Sequence, residues 1–350
     1  MRGGRGNTIG SLALIVLVLF FAAAGDAAPV PTPPKPGPPV NAPLTIVSLG
    51  DSTVSGEGAG DYDPGTDGQN GDWCHRSAHA EIHETKLPGV VKTVNLACSG
   101  ANSTQIGLGT AVHYTERSQT AQLAALATRN RVVAIVVAVG ANDDPHFAEV
   151  LNNCVTAWVH QGSCSAGFEA AWQHRINAMV PKVVKVLRDI RTAMAAVHYQ
   201  PSDYQLILQS YAAPIGPNVA GDLLSLNGCP FREVDLHWVR TTAVHALDTG
   251  LRRAAADAGT RFLDLADAGI GHEACSGGNN EWFTRLTVAW QDISNQQRVG
   301  HALQESFHPN ARGQAAFANC LSQFLATNDP AATCLAGRDG VLHPAALVSG

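Results

Sequence analysis

The chain has 350 residues, a formal net charge of −6 and only 15% charged residues, against about 25% in soluble proteins generally. No Lys/Arg cluster follows the first few residues, which argues against nucleic acid as a partner. Past the amino terminus, no stretch approaches the roughly 20 apolar residues that a membrane-spanning helix requires.

The first residues carry Arg2 and Arg5, followed by an apolar run from Leu12 to Ala24. A basic segment, a short apolar core and small residues at Ala22-Ala23-Ala24 or Gly25-Asp26-Ala27 have the form of a cleavable signal peptide. Residues 1–28 are therefore read as a leader, and the protein is expected outside the cell or at its envelope. From Pro29 to Pro43, eight of fifteen residues are proline. Such a segment favours polyproline II and serves as a semi-rigid linker. The globular domain is read as 44–334, with 335–350 as a tail that has no recognisable pattern.

Five strands are expected, at 44–50, 91–97, 131–139, 204–210 and 260–265. The third, Arg131-Val-Val-Ala-Ile-Val-Val-Ala-Val139, is apolar almost throughout, as a strand covered on both faces must be. Helical periodicity separates the strands at 120–130, 168–197, 233–258 and 310–327, with Pro181 expected to kink or divide the second of these. Alternating strands and helices imply a parallel sheet between helix layers, so the fold class is α/β. Two long segments, 51–90 and 266–307, lack clear periodicity, and loops of that length are usually functional or tied down.

Eight cysteines suit an oxidising compartment. Many pairings are open to eight thiols. Their close spacing favours pairing between neighbours, giving Cys74–Cys98, Cys154–Cys164, Cys229–Cys275 and Cys320–Cys334. No C-x-x-C occurs, which argues against a zinc ribbon or a thioredoxin-type site.

The first strand ends at Gly50-Asp51-Ser52. Open α/β sheets place their sites just beyond the carboxyl ends of the strands, so Ser52 is a candidate nucleophile. By itself Gly-Asp-Ser is also ordinary turn chemistry. A serine nucleophile needs a base, usually histidine, because its pKa lies near neutrality. Among fourteen histidines, His308 stands apart in Glu305-Ser306-Phe307-His308-Pro309. Pro309 stiffens the backbone after it, and Glu305 lies three residues before. Asn142 in Gly140-Ala141-Asn142-Asp143, directly after the third strand, could donate its amide to a developing oxyanion. Gly100, in Ala97-Cys98-Ser99-Gly100-Ala101, would allow a ligand close to a backbone N–H.

Together these four blocks resemble the SGNH hydrolases, also called the GDSL family of lipases and esterases, and most closely their secreted, disulfide-bonded actinobacterial branch. Gly56-Glu57-Gly58-Ala59 and Cys74-His75-Arg76-Ser77 are similar to that branch as well. The resemblance implies a flavodoxin-like three-layer sandwich with a five-stranded parallel sheet in order 2-1-3-4-5. It implies Ser52 as nucleophile, His308 as base, and an oxyanion hole made by the Ser52 and Gly100 N–H groups and the Asn142 side chain. The family commonly has Asp three residues before the histidine, where this chain has Glu305. Glu305 is expected to orient His308, the alternative being a backbone carbonyl. The implied activity is hydrolysis of carboxylic esters through an acyl-enzyme by a monomer that needs no cofactor or metal. Lipid and carbohydrate O-acetyl esters are both admissible substrates, and a non-catalytic binding protein on the same scaffold is the rival reading.

Other motifs fall short. No G-x-S-x-G nucleophile elbow is present. His75, His79 and His83 have helical spacing, but Ala80 stands where an H-E-x-x-H zinc site needs Glu. Gly56-x-Gly58-x-Gly60 lacks the final glycine of a dinucleotide fingerprint.

Overall fold

The computed structural model describes residues 37–293 and 298–347. The leader and most of the proline-rich linker lie outside the described residues. β1 (Leu44–Gly50) is buried from Thr45 onward and forms the middle of a parallel ladder. It pairs with β2 (Lys92–Asn95) on one side and with β5 (Arg131–Ala138) on the other. A short antiparallel hairpin, β3 (Val112–His113) and β4 (Glu116–Arg117), stands apart from this sheet. β6 (Gln205–Gln209) and β7 (Arg261–Asp264) continue it in parallel. These five parallel strands take the order expected from the sequence.

The sheet does not stop there. β8 (Ala331–Ala336) pairs in parallel with β7, and β9 (Leu342–Ala346) closes the edge antiparallel to β8, making seven strands in the order β2-β1-β5-β6-β7-β8-β9. Five strands were expected, and much of the added pair comes from the stretch read as a tail. The signal was concealed by small residues in β8 and by Pro344 in β9. Proline is tolerated there because β9 is an edge strand, where a missing N–H costs no ladder bond.

The helices in chain order are α1 (Ser52–Ser55), α2 (Glu81–Glu84), α3 (Ser103–Ile106), α4 (Gln119–Ala127), α5 (Phe147–Val159), α6 (Ser165–Ala196), α7 (Glu233–Trp238), α8 (Val244–Ala258), α9 (Trp290–Ile293) and α10 (Ala311–Leu325). α6 packs against α4 and α8, whereas α10 packs against α2 and β9, which gives helix layers on opposite faces of the sheet. α6 runs unbroken for 32 residues, with Pro181 inside it rather than dividing it. α7 passes through a single π-helical turn, Val239–Ala243, into α8. Where α6 and α8 cross, Gly250 is required by space, since a Cβ there would lie 2.5 Å from Ile176 Cγ2.

Disulfides join Cys74 to Cys98, Cys154 to Cys164, Cys229 to Cys275 and Cys320 to Cys334. They sit where the long loops need ties. Cys74–Cys98 fastens segment 51–90 to the end of β2, and Cys229–Cys275 fastens the loop after β7. Cys154–Cys164 links α5 to the start of α6.

Candidate active site

The site lies at the carboxyl ends of β1, β2 and β5. Gly50 is buried where β1 meets β5, and a Cβ at this residue would fall 2.3 Å from the Ala138 carbonyl oxygen. Only glycine lets β1 turn so tightly into α1. Asp51 follows as the N-cap of α1 and accepts from the Thr53 N–H at 3.1 Å, a usual role for aspartate at a helix start. Its other oxygen accepts from the Tyr211 hydroxyl at 2.6 Å. Burial pushes the Asp51 carboxyl up to about 7, against the lowering effect of these hydrogen bonds. α1 ends after one turn at Gly56, which adopts φ 95°.

Ser52 Oγ lies 2.8 Å from His308 Nε2, although 256 residues separate them in sequence. His308 Nδ1 lies 3.1 Å from the Ser306 carbonyl oxygen. A carbonyl can only accept, so Nδ1 carries the proton and Nε2 is left to accept from the serine hydroxyl. Burial lowers the imidazole pKa from its ordinary value, partly offset by the Glu57 carboxylate and the Ser306 carbonyl. His308 is therefore held neutral and able to take a proton.

The structure does not bring the Glu305 carboxylate to His308 Nδ1, where it was expected. That carboxylate accepts from the Tyr62 hydroxyl at 2.7 Å, and the contact at Nδ1 is the backbone carbonyl of Ser306. The cause is a tight turn. The His308 N–H donates to the Glu305 carbonyl at 3.3 Å, and Phe307 is held at φ 61°. That conformation is costly for a bulky residue. It is sustained by packing of Phe307 on Phe231, with ring centroids 5.1 Å apart, and by Thr284, whose N–H donates to the His308 carbonyl at 2.9 Å.

Gly100 and Asn142 line the same pocket as Ser52 and His308. Among the described residues, the N–H groups of Ser52 and Gly100 have no protein acceptor. Asn142 donates from Nδ2 to the Ala101 carbonyl at 3.2 Å, which fixes the amide beside the Gly100 turn. The turn itself is held by the Ser99 N–H donating to the Cys74 carbonyl at 3.1 Å. The pocket encloses about 350 Å³. Apolar side chains from α5 (Phe147, Leu151), from α10 (Phe317) and from the loops (Pro214, Phe283, Phe307) form much of its wall. A cavity of this size with few convergent polar groups is the usual form of a small-molecule site.

The family sequence model described as GDSL-like Lipase/Acylhydrolase family matches residues 48–316. The chain belongs to this family. Lipase 2 of Streptomyces coelicolor is 25% identical over 312 residues, which cover 88% of this chain and 91% of the relative. Lipase 1 of the same organism is 27% identical over 316 residues, covering 89% and 95%. Among solved structures, an extracellular lipase from Streptomyces rimosus is similar, with 23% identity, 78% of this chain and 95% of that one covered, and a TM-score of 0.48. A phospholipase A1 from Streptomyces albidoflavus NA297 has 26% identity, coverage of 77% and 94%, and a TM-score of 0.48. As a GDSL-family member, the protein is a carboxylic ester hydrolase.

Sequence reading did not assign roles to several side chains at this GDSL-family site. Tyr211, which holds Asp51, carries no local signal. Glu57 and His75 stood inside noted motifs, but their pairing, Nδ1 to Oε1 at 2.7 Å, joins residues from different loops. His75, His79 and His83 do not converge. They contact Glu57, Asp61 and Thr93 respectively.

Proposed function

We propose that the protein is a secreted serine esterase of medium-chain acyl esters, acting through a Ser52–His308 dyad aided by the Ser306 carbonyl. The observation that carries this reading is the 2.8 Å contact of Ser52 Oγ with His308 Nε2 inside an apolar pocket. His308 takes the hydroxyl proton as Ser52 Oγ attacks the ester carbonyl carbon. The Ser306 carbonyl holds the imidazolium that forms. Charge on the former carbonyl oxygen is met by the Ser52 and Gly100 N–H groups and the Asn142 amide. Collapse of this intermediate breaks the bond to the alcohol, which leaves with the proton from His308. Water, deprotonated by the same imidazole, then releases the acid and restores Ser52.

The pocket, of about 350 Å³ and with a largely apolar wall, lies in the range of small-molecule sites. We expect it to take an acyl chain of about eight to ten carbons, each buried methylene contributing about 0.8 kcal/mol. An acetyl group would leave its phenylalanines wet. A p-nitrophenyl ester series from acetate to palmitate therefore should peak in kcat/KM near octanoate or decanoate. Fastest turnover of acetate would sink the medium-chain reading in favour of an O-acetyl esterase. Labelling of Ser52 by a fluorophosphonate probe separates both from a non-catalytic scaffold, which would stay unlabelled.

Secretion is supported by the four disulfides and by the form of residues 1–28. No helix of the described residues is long and apolar enough to cross a membrane. On this reading residues 29–43 are a spacer, the catalytic domain runs from Leu44 through β9, and the enzyme works as a monomer.

A further inference from the structure

We propose that Glu57 is a positioning residue for His308, supplying at one remove the anion that no described side chain supplies at Nδ1. This rests on the Ser52–His308 dyad proposed above. Glu57 is fully buried at the junction of the two dyad segments. Its N–H donates to the Ser52 carbonyl at 3.1 Å. The next residue, Gly58, lies against the histidine so closely that a Cβ on it would be 3.0 Å from His308 Cβ. From the histidine's own segment, Gln304 donates to Glu57 Oε2 at 2.8 Å.

The carboxylate is kept ionised from behind. His75 Nδ1 donates to Glu57 Oε1 at 2.7 Å, while Asp67 lies 3.4 Å from His75 Nε2. Tyr62 stacks on the His75 ring at 4.3 Å and donates its hydroxyl to Glu305. Burial opposes ionisation of both Glu57 and His75, but their pairing lowers the carboxyl and raises the imidazole. The result is a buried ion pair whose anionic member is tied to the Ser52 and His308 segments. An anion so placed favours the imidazolium form of His308, the form that develops as Ser52 attacks.

The other titratable groups facing His308 are Asp51 beneath the serine, Glu305 in the same turn, and Tyr114, Tyr211 and His301 on the pocket wall. Arg298 lies outside them, near Asp67. All are unchanged in the variants that test the idea. The acid limb of kcat/KM reports the free-enzyme base. Glu57→Gln should move that limb down by about half to one pH unit and lower kcat by roughly threefold to tenfold, one pKa unit being a factor of ten. Glu57→Asp should restore the limb toward wild type. His75→Gln removes the cation that keeps the buried Glu57 carboxylate ionised, so it should move the limb down in the same direction as Glu57→Gln.

A folded Glu57→Gln enzyme with reduced kcat but an unmoved limb would show that Glu57 only braces the loop, and the proposal would fall. Should that variant not fold, an unmoved or raised limb in His75→Gln would overturn it equally. Ser52→Ala tests the dyad separately: activity retained there would remove the dyad itself, whereas a dead Ser52→Ala beside an unshifted Glu57→Gln removes only the role of Glu57.

Discussion

Replacing Glu305 with Gln tests most directly how His308 is held. The carboxylate makes its 2.7 Å hydrogen bond with the Tyr62 hydroxyl, and Nδ1 faces the Ser306 carbonyl at 3.1 Å. Gln keeps an oxygen that can accept from Tyr62, so the mutation removes a charge and weakens one hydrogen bond. Hydrogen bonds to charged groups contribute about 1.5–3 kcal/mol and neutral ones about 1 kcal/mol. The difference, about 1 kcal/mol felt in part at the imidazole, is roughly fivefold in rate at most. A carboxylate that directly held the imidazole would behave otherwise, because the equivalent change in a serine protease triad costs about 10⁴ in kcat. Steady-state kcat on a soluble p-nitrophenyl ester, with circular dichroism to verify folding, separates these outcomes. A tenth or more of wild-type kcat is expected. A hundredfold loss in a folded variant would mean that Glu305 reaches His308 during turnover, and the carbonyl-held dyad would be wrong.

Other outcomes follow from particular residues. Asn142→Ala should lower kcat by about 10²–10³ with KM little changed, and a change confined to KM would make Asn142 a substrate-binding group instead. Burial raises Glu81 to about 7 from 4.5, so its contribution to stability is intact below 4.5 and lost as pH rises through 7. Glu81→Gln, able to form a paired amide contact with Gln209 in place of the present Nε2-to-Oε2 bond of 2.7 Å, should stabilise the fold at pH 8 by up to about 3 kcal/mol and give no such gain at pH 4. Urea unfolding at both pH values checks this, and equal effects at the two would refute it. Replacing Cys320 and Cys334 with serine opens a link of sequence separation 14 between α10 and β8, and should cost about 2–5 kcal/mol. An unchanged urea midpoint would show that the sheet edge does not depend on it.

Local sequence carried the five parallel strands, because apolar β-branched runs such as Arg131–Ala138 declare themselves without help from the rest of the chain. It also carried Ser52, Gly100, Asn142 and His308 as candidates, since each sits in a short block at a strand end or before a helix. Tertiary structure decided what those blocks do to one another. The direction of the Glu305 side chain depends on the Phe307 turn and on Tyr62, a residue 243 positions away. The pairing of Glu57 with His75, the hold of Tyr211 on Asp51 and the apolar pocket wall are likewise contacts between distant segments. β8 and β9 became strands only because β7 offered an edge; their small residues and Pro344 carry little strand preference of their own. Periodicity along a chain records which face of an element is buried, but not which distant side chain will meet it there.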